Sequence, residues 1–243
     1  GSRSSERGLL VMNHEYTDDG LLHFDGFVNW SAEKVLKAQN AHGVSVIEVE
    51  RQDERWRVVR PSQWARRITA RTPIRSSGPA AGSSALQTAL DPSGRSVLGT
   101  FNNCAHGYTP WGTFLACEEN FANYFINAKS PEHRRYGVTV KGRGYRWNEF
   151  DERFDLAKHP NEVNRFGWIV EIDPYEPTST PVKRTALGRF AHEGAQLSLT
   201  ADGRIVFYSG DDATFEYIYK FVSRDRFDPR NRSANRDLLD HGT

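Results

Sequence analysis

Four short polar clusters each follow an apolar run of the sequence, and their residue types could bind metal ions. An apolar strand would deliver their carboxylates toward the interior, where a charge is costly unless it is paired, hydrogen-bonded or bound to a cation. Oxygen-rich clusters suit Ca²⁺ or Mg²⁺, and a nearby thiolate or imidazole also admits a transition metal. Several such clusters together indicate a site for more than one ion. The clusters are Asn13-His14-Glu15, Cys117-Glu118-Glu119-Asn120, His192-Glu193-Gly194 and Gly210-Asp211-Asp212.

Each cluster taken alone also has a plainer interpretation. Two adjacent aspartates after a strand are usually a solvated turn, and one of two adjacent glutamates on a strand normally faces water. We interpret His14 and His192 as hydrogen-bonded scaffolding, and Cys117 as a small buried hydrophobe. Cys104 follows two asparagines in a turn-like stretch and is interpreted as structural. The residues alone therefore predict a β-rich domain with a metal site, and they name no reaction.

Composition excludes several classes of protein. The 243 residues are 37% hydrophobic and 26% charged, with a net charge of +1. No apolar run approaches the roughly 20 residues that span a bilayer, and bulk charge gives no sign of a nucleic-acid partner. The two cysteines do not decide the redox compartment. The chain opens Gly1-Ser2-Arg3 without an export signal, which we interpret as either a cloning scar or an internal start, with such a signal removed.

Periodicity predicts many strands and one confident helix. The helix spans residues 32–42, with Ser31 as its N-cap and Gly43 at its end. Three hairpins are expected at 44–60, 86–101 and 196–208, because paired strand patterns flank turn residues there. Strands are predicted at 8–12, 44–50, 56–60, 86–90, 96–101, 113–117, 167–172, 182–190, 196–200, 205–208 and 215–222.

The stretches between these strands are predicted to be irregular. Residues 61–84 are rich in turn-favouring residues and indicate a long surface loop. Residues 127–165, and 130–165 most clearly, indicate a loop excursion with one short helix, and residues 224–243 are expected to be irregular. Short strands joined by tight turns are typical of an all-β protein, either a β-propeller or a sandwich. About four propeller blades would fit in this length at roughly 40–50 residues each.

A series of longer strings runs through almost the whole chain. The most specific is Thr109-Pro110-Trp111-Gly112-Thr113, which runs into Cys117-Glu118-Glu119-Asn120. The others are Asn13-His14-Glu15, Ala41-His42-Gly43-Val44-Ser45-Val46, Arg66-Arg67-Ile68-Thr69, Ser77-Gly78-Pro79-Ala80-Ala81-Gly82, Gly99-Thr100-Phe101-Asn102-Asn103-Cys104, Gly188-Arg189-Phe190-Ala191-His192-Glu193-Gly194, Gly210-Asp211-Asp212 and Glu216-Tyr217-Ile218-Tyr219-Lys220-Phe221-Val222. In this order and combination, the chain resembles the PhoX family of alkaline phosphatases.

The resemblance implies a β-propeller that hydrolyses phosphate monoesters in the periplasm or outside the cell, after twin-arginine export. It implies a site of Ca²⁺ and Fe³⁺ in which the ions neutralise phosphate and a metal-bound oxygen serves as nucleophile. Carried onto this chain, Cys117 is the implied iron-binding thiolate. No catalytic or phosphate-binding side chain is assigned. The implied carboxylate ligands are Glu15, Glu118 or Glu119, Glu193, Asp211 and Asp212.

Family members are considerably longer than 243 residues. The resemblance therefore implies that residues 1–243 form one incomplete β-propeller domain with several blades and one short helix near its N-terminus. A missing C-terminal half, or a second chain, would supply further ligands and the arginine that binds phosphate. We expect the chain to be inactive alone. Two alternatives stay open: a non-catalytic, calcium-stabilised β-propeller binding module, and a calcium-dependent propeller lactonase or esterase.

Overall fold

The computed structural model describes residues 5–243, so the start expected at Gly1-Ser2-Arg3 lies outside the described part. These residues form a mostly β-sheet protein with few helices, in agreement with the predicted all-β class. In chain order the strands and α-helices are β1 Arg7–His14, α1 Asp19–Leu22, α2 Ala32–Ala41, β2 Gly43–Gln52, β3 Arg55–Val58, β4 Arg66–Ile68, β5 Pro73–Ser77, β6 Ser96–Leu98, β7 Asn103–Tyr108, β8 Phe114–Glu118, α3 Pro131–Arg135, β9 Ile169–Ile172, β10 Val182–Arg184, β11 His192–Leu199, β12 Arg204–Asp211 and β13 Ile218–Arg226. Short 3₁₀ helices lie at Ser84–Leu86, Phe121–Tyr124, Trp147–Glu149, Glu152–Phe154, Glu162–Arg165, Thr185–Leu187 and Arg232–Asn235.

The smaller sheet has four strands, and the predicted helix precedes its central strand. The side chain of Ser31 accepts a hydrogen bond from the backbone N–H of Lys34 at 3.4 Å, which confirms the predicted N-cap of α2. Strand β2 pairs antiparallel with β1 on one side, and with β3 and β4 on the other. Gly43 begins β2 with φ +99°, and a Cβ there would lie 2.1 Å from the carbonyl oxygen of Ile68. Only glycine therefore allows β4 to approach the start of β2.

The larger sheet has nine strands in the order β13-β12-β11-β7-β8-β9-β10-β5-β6. Most neighbours are antiparallel, and the hairpin predicted around the Asp202-Gly203 turn is confirmed as β11–β12. The β5–β10 pair is parallel, and β7 meets β11 in parallel at Gly107 and Ala195. Strands that are distant in sequence therefore become neighbours at two places in this sheet.

Strand β8 lies between two hydrophobic cores. Successive side chains of a strand point to opposite faces, so Phe114 and Ala116 enter one core while Leu115 and Cys117 enter the other. The first core is rich in aromatic rings, and Phe101, Trp147 and Phe154 are fully buried in it. The short apolar run of β8 is thus buried on both faces, and the two cores hold the end of the strand in place.

Two sequence predictions are wrong in this region. The stretch 61–84 contains strands β4 and β5, with Ser76 and Ser77 buried, where a surface loop was expected. The hairpin expected over 86–101 does not form, because β6 pairs with β5 and residues 88–92 are not in a strand. The pairing of β5 with β10 joins residues more than 100 positions apart, and local composition carries no signal for such a contact.

Residues 127–165, where a loop excursion was predicted, form mostly irregular chain with one short α-helix, α3. This stretch is nevertheless part of the structure's interior, because Trp147 and Phe154 belong to the aromatic core. Residues 224–243 are less irregular than expected, since β13 continues to Arg226 and a 3₁₀ turn covers Arg232–Asn235. None of the helices in residues 5–243 has the length and apolar character to cross a bilayer.

Candidate metal centre

Side chains from five strand ends meet at one place. Four are carboxylates and one is a thiol, and we call them the five-residue cluster. The group is Glu15 after β1, Cys104 in β7, Glu119 after β8, Glu193 in β11 and Asp212 after β12. Ligand atoms of Glu15, Cys104 and Glu119 lie within 4.8 Å of one another, and so do those of Glu119, Glu193 and Asp212. Glu119 belongs to both groups and is therefore the centre of the cluster.

Irregularities in the strands aim two of these side chains. The β7–β8 register shifts between Asn103 and His106, and the β11–β12 register shifts between Glu193 and Gln196. Such bulges bend a strand and redirect its side chains, and they are common beside active sites. The thiol of Cys104 lies 3.2 Å from Oε1 of Glu193, so the two bulges direct their side chains toward each other.

A hydrogen bond joins the smaller sheet to this cluster. Asn13 donates from Nδ2 to the carbonyl oxygen of Ala105 at 2.9 Å and to that of Cys104 at 3.3 Å. The bond fixes the end of β1 against the bulge of β7, and Glu15 follows two residues later. His14, which lies between Asn13 and Glu15, is hydrogen-bonded through Nε2 to the hydroxyl of Ser45 at 2.7 Å, as expected for scaffolding.

Burial raises the pKa values of three side chains of the cluster, Glu119, Glu15 and Cys104. Burial raises the pKa of Glu119 to about 8, and hydrogen bonding to Asp212 and the charge of Glu193 act in the same direction. Burial also raises the pKa of Glu15, with Glu193 adding to it and the hydrogen bond to Cys104 opposing it. The pKa of Cys104 is raised to about 12, first by burial and then by Glu193. A cation would reverse each of these shifts, because it favours the charged form of its ligands.

The donor set fits metal ions. Within residues 5–243, none of the cluster's carboxylates forms an ion pair with a Lys, Arg or His side chain. No basic side chain among these residues therefore pairs with the carboxylates to offset their mutual repulsion. Carboxylate oxygens are the ligands that Ca²⁺ prefers, and the thiol of Cys104 adds a soft donor suited to a transition metal.

Three predicted ligands lie outside the five-residue cluster: Cys117, Glu118 and Asp211. Glu118 is fully buried and accepts hydrogen bonds from Nζ of Lys183 at 2.7 Å, from Gly167 N–H at 2.9 Å and from Trp168 N–H at 3.1 Å. Cys117 is also fully buried, within the second core, and burial raises its pKa. Of the alternatives Glu118 and Glu119, the structure places Glu119 in the cluster. Ligand roles for Glu118 and Cys117 stay predictions.

Asp211 lies beside the cluster and not within it. It is the last residue of β12 and pairs with His192 of β11, whereas Asp212 enters the cluster. Burial and the charge of Glu216 raise the pKa of Asp211. His192 is fully buried between Ser209 at 2.8 Å and the carbonyl of Gly188 at 3.0 Å, as expected for scaffolding. Burial lowers the pKa of His192 to about 4, so its ring is neutral at physiological pH.

Cys104 is the cluster member that sequence reasoning assigned to structure alone. Its neighbours Asn102 and Asn103 indicate a turn, and Asn102 does have a left-handed φ of +51°. The bulge that aims the thiol depends on pairing with β8, which residue types do not reveal. The sequence distinguishes the two cysteines only by their neighbours. The apolar run around Cys117 predicts that it is the more buried of the two.

Comparison with known proteins assigns the chain to a family. The profile of the family described as alkaline phosphatase PhoX matches residues 2–243. The chain belongs to the PhoX alkaline phosphatase family. A comparison with curated proteins gave no match. Among solved structures, Pseudomonas fluorescens PhoX in complex with vanadate, a transition state analogue, is similar to this PhoX-family chain, with 54% sequence identity and a TM-score of 0.96.

The similarity covers 99% of this chain and 42% of the Pseudomonas fluorescens chain. This PhoX-family chain therefore spans less than half the length of its solved relative. The predicted family is confirmed over nearly every residue, while the larger part of the relative has no counterpart in these 243 residues.

Proposed function

We propose that this chain supplies the five-residue cluster as part of a metal site that hydrolyses phosphate monoesters. The observation that carries the proposal is the meeting of four uncompensated carboxylates and one thiol from five strand ends. Membership of the alkaline phosphatase PhoX family supports the reaction type. The 54% identical relative was solved with vanadate, a transition state analogue, and this supports a phosphate ester as substrate.

The cluster would hold Ca²⁺ and Fe³⁺, and we propose Cys104, in place of the predicted Cys117, as the thiolate ligand, with Glu119 as the central carboxylate. Bound cations would neutralise phosphate oxygens and stabilise the charge of the transition state. The chain's own part is to present its ligands in fixed positions. The two bulges orient Cys104 and Glu193, and burial of Glu119, which is 3% exposed, keeps bulk water from its carboxylate.

The β-propeller architecture, the boundaries of the domain and the location of the protein belong to this proposal. The partial β-propeller over residues 1–243, and the periplasmic or secreted location reached by twin-arginine export, are proposed from the sequence resemblance to the PhoX family. The share of 42% of the solved relative's length supports a further segment, or a second chain, that contributes phosphate-binding groups. The comparisons do not favour the alternatives of a non-catalytic calcium-binding module and a calcium-dependent lactonase.

Metal analysis of two cysteine variants tests the site. In the full-length natural protein, Cys104→Ala is expected to lose bound iron and the visible absorption of an iron–thiolate bond, because it removes the cluster's only thiol. Cys117→Ala is the matched control, and it is expected to keep both. Iron and calcium content would be measured by mass spectrometry after dialysis. Loss of iron in Cys117→Ala with retention in Cys104→Ala would contradict the proposed ligand, and calcium without iron in the unaltered protein would favour the alternatives.

Turnover of a chromogenic phosphate ester in the presence of Ca²⁺ tests the reaction. The 243-residue chain alone is expected to be inactive, whereas the full-length natural protein is expected to hydrolyse the ester. Robust turnover by the 243-residue chain would show that its site needs no further groups. Absence of turnover by the full-length, metal-loaded protein would contradict the proposed function.

A further inference from the structure

We propose that Asn102 is a positioning residue of the five-residue cluster, and that its side chain fixes the peptide segment carrying Glu119. The inference rests on the proposed function in taking the cluster as a metal site. Asn102 is buried at 2% exposure and lies directly before β7. Its side chain is hydrogen-bonded to Tyr124 and Asn120, which are not members of the cluster. Asn102 would therefore act through the backbone that carries the cluster's side chains.

Asn102 holds two consecutive peptide groups after β8. Its carbonyl oxygen accepts the N–H of Glu119 at 2.9 Å, and its side-chain Oδ1 accepts the N–H of Asn120 at 2.7 Å. Cys104 follows two positions later in the chain. A single residue therefore ties the segment that carries the cluster's thiol to the segment that carries its central carboxylate.

The orientation of the Asn102 amide is fixed by a directional chain of buried hydrogen bonds. Nδ1 of His42 lies 2.6 Å from the carbonyl oxygen of Ala38, and a carbonyl can only accept, so Nδ1 carries the proton. Nε2 of the neutral ring then accepts from the hydroxyl of Tyr124 at 2.9 Å. The hydroxyl oxygen of Tyr124 accepts in turn from Nδ2 of Asn102 at 3.3 Å. The amide nitrogen is committed to Tyr124, so the amide oxygen faces Asn120.

Two further features suit this role. The φ of Asn102 is +51°, a left-handed conformation that asparagine adopts more readily than most residues with a side chain. Burial lowers the pKa of His42 to about 4, which keeps the ring neutral and preserves the direction of the chain at physiological pH. Glycine would satisfy the backbone at position 102 and would lose the anchor of Asn120.

The test uses Asn102→Gly in the full-length natural protein, because glycine tolerates the positive φ. Residues that orient metal ligands from outside the site typically change metal affinity 10- to 100-fold when they are removed. We therefore expect Ca²⁺ binding, measured by calorimetric titration of the metal-free protein, to weaken roughly 10-fold or more. The metal-free unfolding midpoint in urea is expected to fall moderately, because the N–H of Asn120 loses its acceptor. The rise in melting temperature on adding Ca²⁺ is expected to shrink.

Asn127→Gly is the matched control. Asn127 also has a positive φ, of +62°, and also uses its side chain, which donates to Asp155 at 2.7 Å. It is expected to leave Ca²⁺ affinity unchanged. Equal Ca²⁺ affinity in Asn102→Gly and the unaltered protein would overturn the inference while leaving the metal site intact. Absence of Ca²⁺ binding in the unaltered protein would instead overturn the proposed function.

Tyr124→Phe keeps the inference testable should Asn102→Gly fail to fold. The variant removes the acceptor that holds Nδ2 of Asn102 and so frees the amide to rotate away from Asn120. A several-fold weaker Ca²⁺ affinity in a folded protein is expected. Unchanged affinity in Tyr124→Phe would contradict the positioning role of Asn102.

Discussion

Glu118 and Glu119 are adjacent residues with opposite environments. The carboxylate of Glu118 faces Lys183 and two backbone N–H groups, and neither Glu118 nor Lys183 has exposed side-chain surface. Burial lowers the pKa of Lys183 to about 8, and Glu118 opposes that shift. Glu119 lies on the other side of the chain and enters the five-residue cluster. One residue thus stabilises the strand end, and the next one is available to a metal ion.

Replacement of Lys183 by methionine is expected to destabilise the protein strongly. Removing one partner of a buried pair leaves the other charge without compensation, at a cost of about 3–5 kcal/mol. The free energy of unfolding would be measured in urea for Lys183→Met, Glu118→Gln and the double variant. The double variant is expected to be more stable than the sum of the single losses implies. Arg204→Met, at an exposed pair with Asp202, is the control, and a similar loss there would contradict the role of burial.

The residue-level chemistry of the site was only partly predictable. A carboxylate that follows an apolar strand is visible in the sequence, and Glu15, Glu119, Glu193 and Asp212 all carry that signature. The choice between the two cysteines was not visible, because it depends on a bulge that forms only when β7 pairs with β8. Side-chain direction at a bulge follows from the partner strand, and the sequence does not name that partner.

Among the elements, the contact between β7 and β11 brings the cluster together. These strands meet at Gly107 and Ala195, and they carry Cys104 and Glu193 respectively. A Cβ on Gly107 would lie 2.1 Å from the carbonyl oxygen of Ala195, which is far inside van der Waals contact. The absence of a side chain at Gly107 therefore sets the separation of two strands that carry members of the five-residue cluster.

Replacement of Gly107 by alanine is expected to separate β7 from β11. Overpacking of this kind typically costs about 1–3 kcal/mol, and the displaced Cys104 should weaken metal binding as well. Urea unfolding and Ca²⁺ titration would measure the two effects. Gly8→Ala in β1 is the control, because a Cβ there meets no atom within 4 Å. If Gly107→Ala matched Gly8→Ala in both measurements, the close approach of β7 to β11 would contribute to neither stability nor metal binding.

Elements formed by local pairing were predicted better than those formed by distant pairing. Helix α2 and the β2–β3 and β11–β12 hairpins follow from capping residues, turn residues and periodicity within a few tens of positions. Strand β5 is short, polar and rich in serine, and it exists because β10 and β6 flank it. Composition assigned it to a loop, since its stabilising partners are supplied by remote parts of the chain.

At the scale of the whole molecule, buried histidines make stability depend on pH. Burial lowers the pKa values of His42 and His192 to about 4 each. The unfolded chain would bind protons at these rings near pH 6.5, whereas the folded protein would not until about pH 4. Stability from each ring is therefore fully present above pH 6.5 and is lost as the pH falls toward 4. Glu119 acts in the opposite sense in the metal-free protein, because its pKa is raised.

The contribution of His42 can be isolated by difference. The free energy of unfolding of the metal-free protein minus that of His42→Gln is expected to fall by about 3 kcal/mol between pH 7 and pH 4. Glu119 is present in both proteins, so its titration cancels in the difference. Urea unfolding at several pH values measures it, with exposed His241→Gln as the control. A difference that does not change with pH would mean that the pKa of His42 is the same in the folded and the unfolded protein.

The position of β8 between two cores also bears on the route by which a bound cation would exchange with solvent. Neither core can open without disturbing β8, so its amide hydrogens should exchange with solvent only through global unfolding. Asp212 instead begins an exposed segment in which the ring of Phe215 is 96% exposed, and such segments open at low free energy. A cation bound at the cluster would therefore enter and leave through the exposed segment that begins at Asp212. Glu119, at the rigid end of β8, would keep its position while the ion exchanges.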